Sequence, residues 1–254
     1  MGNNIKVAMM QPACLPWQGF FELIYKSDIF ILLDDFQFSV QSHHQRNKLF
    51  VNKGQVGWYT TPVLKSVSFQ LPLNQVQINE ADQWRHKMRR RIETNYARAP
   101  YYPQVAPVML NWIETKSGSL GAQNIALITA ICALLGPGPE FRMSSSFKTG
   151  SKRSERVLEL LRWCGADEYY SARGSFGYMK EDAVFPVEGI TVMFQNFVPA
   201  PYDQKTLSNE FVPYLSIVDA LMNIGPAKTM ELVKNGTTKW LSWKDMEKEH
   251  KGAE

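Results

Sequence analysis

Cysteine is scarce. The 254-residue chain holds three (Cys14, Cys132, Cys164), with no Cys-x-x-Cys pair. That excludes a disulfide scaffold and makes a reducing cytoplasm the expected setting. Long apolar runs are missing as well. The longest largely apolar stretch, residues 125–135, stops at Gly136-Pro137 and is too short to span a bilayer. A secretory signal is not expected, because Lys6 falls in the first apolar stretch and Pro12 and Pro16 follow it. Met1-Gly2 opens a myristoylation pattern, but Lys6 stands where Ser or Thr is required. No charge of one sign dominates: 28 Lys and Arg against 24 Asp and Glu give +4, which permits anionic ligands without demanding nucleic acid. Internal repeats, low-complexity tracts and Gly/Ser linkers are lacking too. With 44% hydrophobic and 20% charged residues, the composition is globular, which excludes disorder and fibre.

What is present alternates. Residues 5–10 and 29–33 are short apolar runs suited to strands, the second to one buried on both faces. Residues 20–26 between them fit a helix, so the two strands can be parallel neighbours joined by a crossover. Further strands are expected at 57–63, 67–71, 141–144, 168–171 and 190–195. Helices are expected at 82–98, where Trp84, Met88, Ile92 and Tyr96 make one stripe, and then at 108–115 and 122–135. Residues 100–107 are read as a proline-rich break. A helix at 152–164 would be capped by Ser151 and ended by Gly165. Residues 212–222 and a segment from Pro226 complete the helical set. The pattern predicts an α/β fold with a mainly parallel, Rossmann-like sheet flanked by helices and a helical C-terminal region. We expect one domain over 1–243, with a helical insertion around 82–135 and a polar, solvated tail at 244–254.

In open parallel sheets, ligands bind beyond the carboxyl ends of the strands. That directs attention to Gln11, Pro12, Trp17, Gly19 and Phe20 after the first strand, and to Asp34, Asp35 and Gln37 after the second. Asp35 and Gln37 alternate with aromatic residues and could face one cleft. The plain alternative is that the carboxylates cap loops and Gln11 satisfies a turn. Next come His43 and His44, either able to act as general base, then Arg46 and Lys48, able to clamp phosphate, with Asn47 between them. A polar surface loop is the alternative there. A Cys14–His nucleophile pair is conceivable, although such a cysteine is more often a packing residue. The spacing of Asp34, Asp35, His43 and His44 matches no standard ligand pattern, so no metal site is expected. Arg85, Lys87, Arg89, Arg90 and Arg91 form a basic run, usually a solvated face and otherwise a nucleic-acid contact. Lys148 to Arg153 could hold an anion before a helix, but the stretch is not a Walker A motif.

These residues also carry a resemblance. Gln11-Pro12-Ala13-Cys14-Leu15-Pro16-Trp17-Gln18-Gly19-Phe20-Phe21 resembles the opening of the WbqC-like family. So do Asp34-Asp35-Phe36-Gln37-Phe38-Ser39, Arg46-Asn47-Lys48, Trp58 with Pro62, and Tyr96 with Ala99-Pro100-Tyr101. Further matches are Gly165-Ala166-Asp167, Tyr170-Ser171, Phe194-Gln195, Tyr202-Asp203-Gln204 and Leu215 to Asp219. Cys14 departs from it, standing where an aromatic residue is expected. The resemblance implies a protein of bacterial surface-polysaccharide (O-antigen) gene clusters and glycine transfer to an amino sugar. On that implication the substrate is a nucleotide-linked amino sugar. The acyl donor is a carrier or aminoacyl-tRNA, or the acid is activated by ATP with magnesium. Asp35, His43 or His44 would take the amine proton, and Trp17 and Phe20 would wall the pocket. The rivals are a nucleotide-dependent ligase or nucleotidyltransferase, a non-catalytic glycan- or nucleotide-sugar-binding module, and an RNA-associated protein using the basic run.

Overall fold

Strand β1 (Lys6–Met10) buries Val7 and Met9 in one apolar cluster and Ala8 in another. Strand β2 (Ile29–Leu32) repeats the division, with Ile29 and Ile31 on the first face and Phe30 and Leu32 on the second. An apolar run this continuous has two faces to hide, which a parallel central strand accomplishes. The two strands pair in parallel, from Val7 opposite Ile29 to Met10 opposite Leu32. The computed structural model describes residues 4–52, 54–68, 70–204 and 210–251.

Strands β5 (Glu140–Met143), β6 (Glu168–Ser171), β7 (Thr191–Phe194) and β8 (Leu241–Ser242) complete a six-stranded sheet of order β5-β2-β1-β6-β7-β8. All neighbours are parallel except β7 and β8. This is the doubly wound order, with its reversal between β1 and β6. Strands β3 (Arg46–Asn52) and β4 (Gln55–Thr60) form a separate antiparallel hairpin.

Helix α1 (Gln18–Lys26) lays Phe20, Leu23 and Ile24 on the Phe30 face. The same cluster takes residues from α3 (Trp84–Tyr96), α4 (Tyr102–Glu114), α5 (Leu120–Leu135) and α8 (Ile217–Asn235). The Ile31 face takes α6 (Arg153–Trp163), α7 (Phe176–Glu181) and α9 (Trp243–Lys251). Fully burying one such side chain is worth about 1.5–3 kcal/mol. Among the described residues no helix is long and apolar enough to cross a membrane.

Several expected elements are corrected. Residues 67–71 hold no strand among their described members: α2 (Lys65–Ser68) is a helical turn in which Ser68 Oγ donates to Leu64 O at 2.7 Å, and Phe69 lies outside the described residues. Helix α4 begins at Tyr102, well before residue 108. Pro103 sits in its first turn, where an N–H has no helical partner to lose, so only Pro107 costs a bond. Ser151 does not cap α6; its Oγ donates to Glu159 at 2.7 Å, and the cap position is Lys152. Helix α8 starts at Ile217, capped by Ser216, and kinks at Gly225 (φ 79°) before Pro226. The ring of Tyr101 lies 2.4 Å from where a Gly225 Cβ would stand, so only glycine fits there. The expected tail is helical over residues 243–251, with Met246 buried and Lys244, Lys248, Glu249 and His250 exposed; residues 252–254 lie outside the described ones.

Candidate functional site

The chain leaves β1 and β2 at the same sheet edge, tied by Leu33 N donating to Met10 O at 2.9 Å. The loops that follow meet. Cys14 N donates to His43 O at 2.8 Å, and Gln11 Nε2 donates to Gln37 O at 3.3 Å. Asn124, on α5, donates from Nδ2 to Pro12 O at 3.0 Å and to His44 O at 2.7 Å. It is a positioning residue the sequence did not single out. The usable signal was two amides, Gln123 and Asn124, opening an apolar helix, since buried polar groups there must find partners.

The two histidines differ. His44 is buried, with Nδ1 accepting from Ser39 N at 3.3 Å and Nε2 lying 2.8 Å from Gln11 Oε1. Accepting at Nδ1 puts the proton on Nε2, which donates to Gln11. Burial, aided by the charge of His43, pushes its pKa down to about 4. With both nitrogens engaged, His44 is a neutral strut. His43 is exposed at the residue level, and its ring centroid lies 6.0 Å from that of Trp58. Its pKa is lowered, first by desolvation and further by the charges of Arg46 and Lys48, against a backbone bond to Arg46 that raises it. His43 is therefore neutral near pH 7.

Trp58, on β4, anchors the cations. The Arg46 guanidinium carbon lies 4.3 Å and Lys48 Nζ 5.2 Å from its ring centroid, both within cation–π range. Lys48 pairs directly across from Trp58 in the hairpin register. Asn47, between the two cations, points inward: its Nδ2 donates to Leu15 O at 2.8 Å and its Oδ1 accepts from Lys48 N at 2.8 Å. That holds Leu15 in its left-handed turn (φ 48°).

The paired aspartates turn elsewhere. Asp34 accepts from Ser145 N at 3.0 Å, Ser145 Oγ at 2.7 Å, Ser144 Oγ at 3.2 Å and Asn74 Nδ2 at 3.3 Å. Asp35 accepts from Ser144 Oγ and pairs with Arg156 at 2.7 Å. The two carboxylates thus lock the end of β2 to the end of β5. All four of their oxygens are engaged by these partners. Gln37 is exposed, with its backbone bridging Pro72. Phe20 lies in the core, edge-on to Phe21 and Phe30 at 5.7 and 5.8 Å. Trp17 folds over Gly19 and meets Phe197 and Tyr214 at 5.0 and 5.5 Å, leaving Trp58 as the aromatic ring beside His43. Cys14 is sealed, with Sγ 3.6 Å from Thr61 Oγ1, and burial pushes its pKa up to about 12, so it is a packing thiol.

The basic surfaces are neutralised in part. Arg85 pairs with Glu80, Lys87 with Asp82, and Arg89 with Glu93 and Glu114. Near Lys148 to Arg153, Thr149 and Ser151 donate to Glu159, and Arg153 pairs with Glu181 and Asp182. Among the described residues no group of three or more His, Cys, Asp or Glu could hold a metal ion.

A second polar knot supports the hairpin from behind. Asp219 is fully buried and accepts from Tyr96 Oη at 2.8 Å and Tyr202 Oη at 2.7 Å; Phe50 N, on β3, donates to Tyr96 Oη at 3.4 Å. Burial raises the Asp219 pKa to about 6, against the hydrogen bonds that lower it.

His44 and Asp219 oppose one another in acid. As pH falls from about 6.5 to about 4, the unfolded chain protonates its histidine before folded His44 does, so stability drops by on the order of 3 kcal/mol. Over the same window, Asp219 and Glu22, both raised by burial, add stability as pH falls. The expected result is a shallow wild-type profile by urea denaturation and a steeper acid loss in Asp219→Asn. In His44→Gln the loss toward pH 4 should be smaller than the parent's by on the order of 3 kcal/mol. A His44→Gln profile parallel to the parent's would contradict the neutral strut.

The model of the WbqC-like protein family matches residues 11–231. The uncharacterized protein Rv1507c of Mycobacterium tuberculosis (strain ATCC 25618 / H37Rv) is 30% identical over 221 residues, covering 87% of this chain and 94% of that one. No solved structure matches.

Proposed function

The chain belongs to the WbqC-like protein family, and from that premise we propose that it is an acyltransferase joining an aminoacyl group, such as glycyl, to an amino sugar, free or nucleotide-linked, for bacterial surface polysaccharide. The observation that carries this is His43 beside Trp58 and two cations that lack carboxylate partners among the described residues, next to the joined loops. His43 takes the proton from the attacking amine as nitrogen bonds to the acyl carbon. The tetrahedral intermediate so formed carries an oxyanion. On collapse the carbon–oxygen or carbon–sulfur bond to the carrier breaks, and His43 returns the proton to the leaving group. Gln11, Pro12, His44 and Asn47 position the loops.

The donor is best taken as already activated, as an ester or thioester on a carrier such as aminoacyl-tRNA. Magnesium for ATP chemistry does not fit the paired aspartates, whose oxygens are engaged by Ser144, Ser145, Asn74 and Arg156. That weakens the ligase alternative. The pairing of Arg85, Lys87 and Arg89 likewise weakens an RNA-binding role for that part of the basic run. Nucleotide-linked sugars and charged carriers are cytoplasmic compounds, so the proposed reaction belongs in the cytoplasm. Incubation with aminoacyl donors and amino sugars, read by mass spectrometry, should show the sugar heavier by one aminoacyl residue. Binding of the sugar with no product from any donor class would leave the glycan-binding alternative in its place.

A further inference from the structure

Arg46 and Lys48 are two cations set over one aromatic ring. Arg85, Lys87, Arg89, Arg142, Arg153 and Arg156 all reach carboxylates. Arg46 and Lys48 reach none among the described residues, and both lie over one ring. They stand two apart on β3, hence on one face of the hairpin, with Trp58 directly opposite Lys48. Two like charges over one ring repel each other, and neither is offset. The Arg46 side chain is also short of acceptors, because its Nε is sealed from solvent and donates to nothing. A buried donor left unmatched is costly and calls for a missing partner. An anion between the two side chains would relieve the repulsion, and a phosphate's tetrahedral oxygens suit a guanidinium fork beside an ammonium.

We infer that Arg46 and Lys48 hold a phosphate of the amine-bearing substrate, so that the sugar is acylated while it still carries that phosphate. The inference rests on the proposed function and adds an order of events. The reaction that supplies the substrate installs the phosphate or nucleotide, and the glycosyl transfer that removes it comes after acylation. A sugar 1-phosphate and a nucleoside diphosphate share the required chemistry. A nucleic-acid backbone is less favoured, because Arg85, Lys87 and Arg89 of the neighbouring α3 are paired with carboxylates and Arg91 is engaged by Trp58 O at 2.9 Å.

Calorimetric titration of the whole chain with pyrophosphate, UDP, glucosamine 1-phosphate, glucosamine and uncharged tRNA tests this. The three small phosphate-bearing probes are expected to bind competitively, and glucosamine at least about tenfold more weakly than its 1-phosphate. UDP tighter than glucosamine 1-phosphate identifies a nucleotide-linked substrate; equal affinity identifies a sugar phosphate. Arg46→Gln and Lys48→Gln should each weaken pyrophosphate about 10- to 100-fold without lowering the melting temperature. The inference is overturned if glucosamine binds as well as its 1-phosphate, if the variants bind pyrophosphate like the parent, or if only tRNA binds. Phosphate binding as expected with no acyl product would remove the proposed reaction and leave the phosphate site. Equal acylation of glucosamine and its 1-phosphate would do the reverse.

Discussion

His43→Gln is expected to lower acyl transfer by about 10²- to 10⁴-fold, the usual contribution of a positioned general base. Its melting temperature should stay close to the parent's, because His43 is exposed at the residue level and its ring is tied only by a backbone bond to Arg46. The same residue sets the acid limb of the pH profile. Burial, with Arg46 and Lys48 adding charge, keeps its pKa below the ordinary histidine value. Activity therefore rises with pH through that lowered pKa and is flat above it. Arg46→Gln removes one of the charges, so the limb moves toward higher pH. A limb that stays put in Arg46→Gln would mean that another group titrates.

Arg156→Ala is expected to cost on the order of 3 kcal/mol in urea denaturation, the scale for stripping one partner from a buried ion pair. The Arg156 side chain is 9% exposed and Asp35 28%, and Arg156 also donates to Ser144 O at 3.1 Å. Its loss leaves Asp35 charged and poorly paired where β2 meets β5. Asp35→Asn should cost less, since the amide can still meet Ser144, and its acyl transfer should survive once the folded fraction is matched. An Asp35→Asn protein that is as stable as the parent yet inactive would return the carboxylate to the chemistry.

The apolar runs near residues 5–10 and 29–33 announced the parallel pair because each had to hide two faces, and the loops behind them were legible for the same reason. What those loops do was less legible. Asp34-Asp35 looks like an acid–base pair from neighbours alone, but Ser144 and Arg156, which neutralise it, come more than 100 residues later. His43 and His44 are adjacent in sequence and opposite in role, because only tertiary contacts bury one and leave the other beside Trp58. Pro103 and Pro107 read as a break, yet a proline in the first turn forfeits no helical bond. The final helix hid behind its charges, although Trp243, Met246 and His250 recur at helical spacing. Asn124 gave only a faint signal, since one amide joining two loops has no local pattern to betray it.

The most direct measurement is the pH dependence of kcat/KM for amide formation with a phosphorylated amino sugar, run on the parent, His43→Gln and Asp35→Asn. The account predicts a single acid limb below the ordinary histidine pKa in the parent, the same limb in Asp35→Asn, and no limb with residual turnover in His43→Gln. An intact profile in His43→Gln, with the limb abolished in Asp35→Asn, would contradict it.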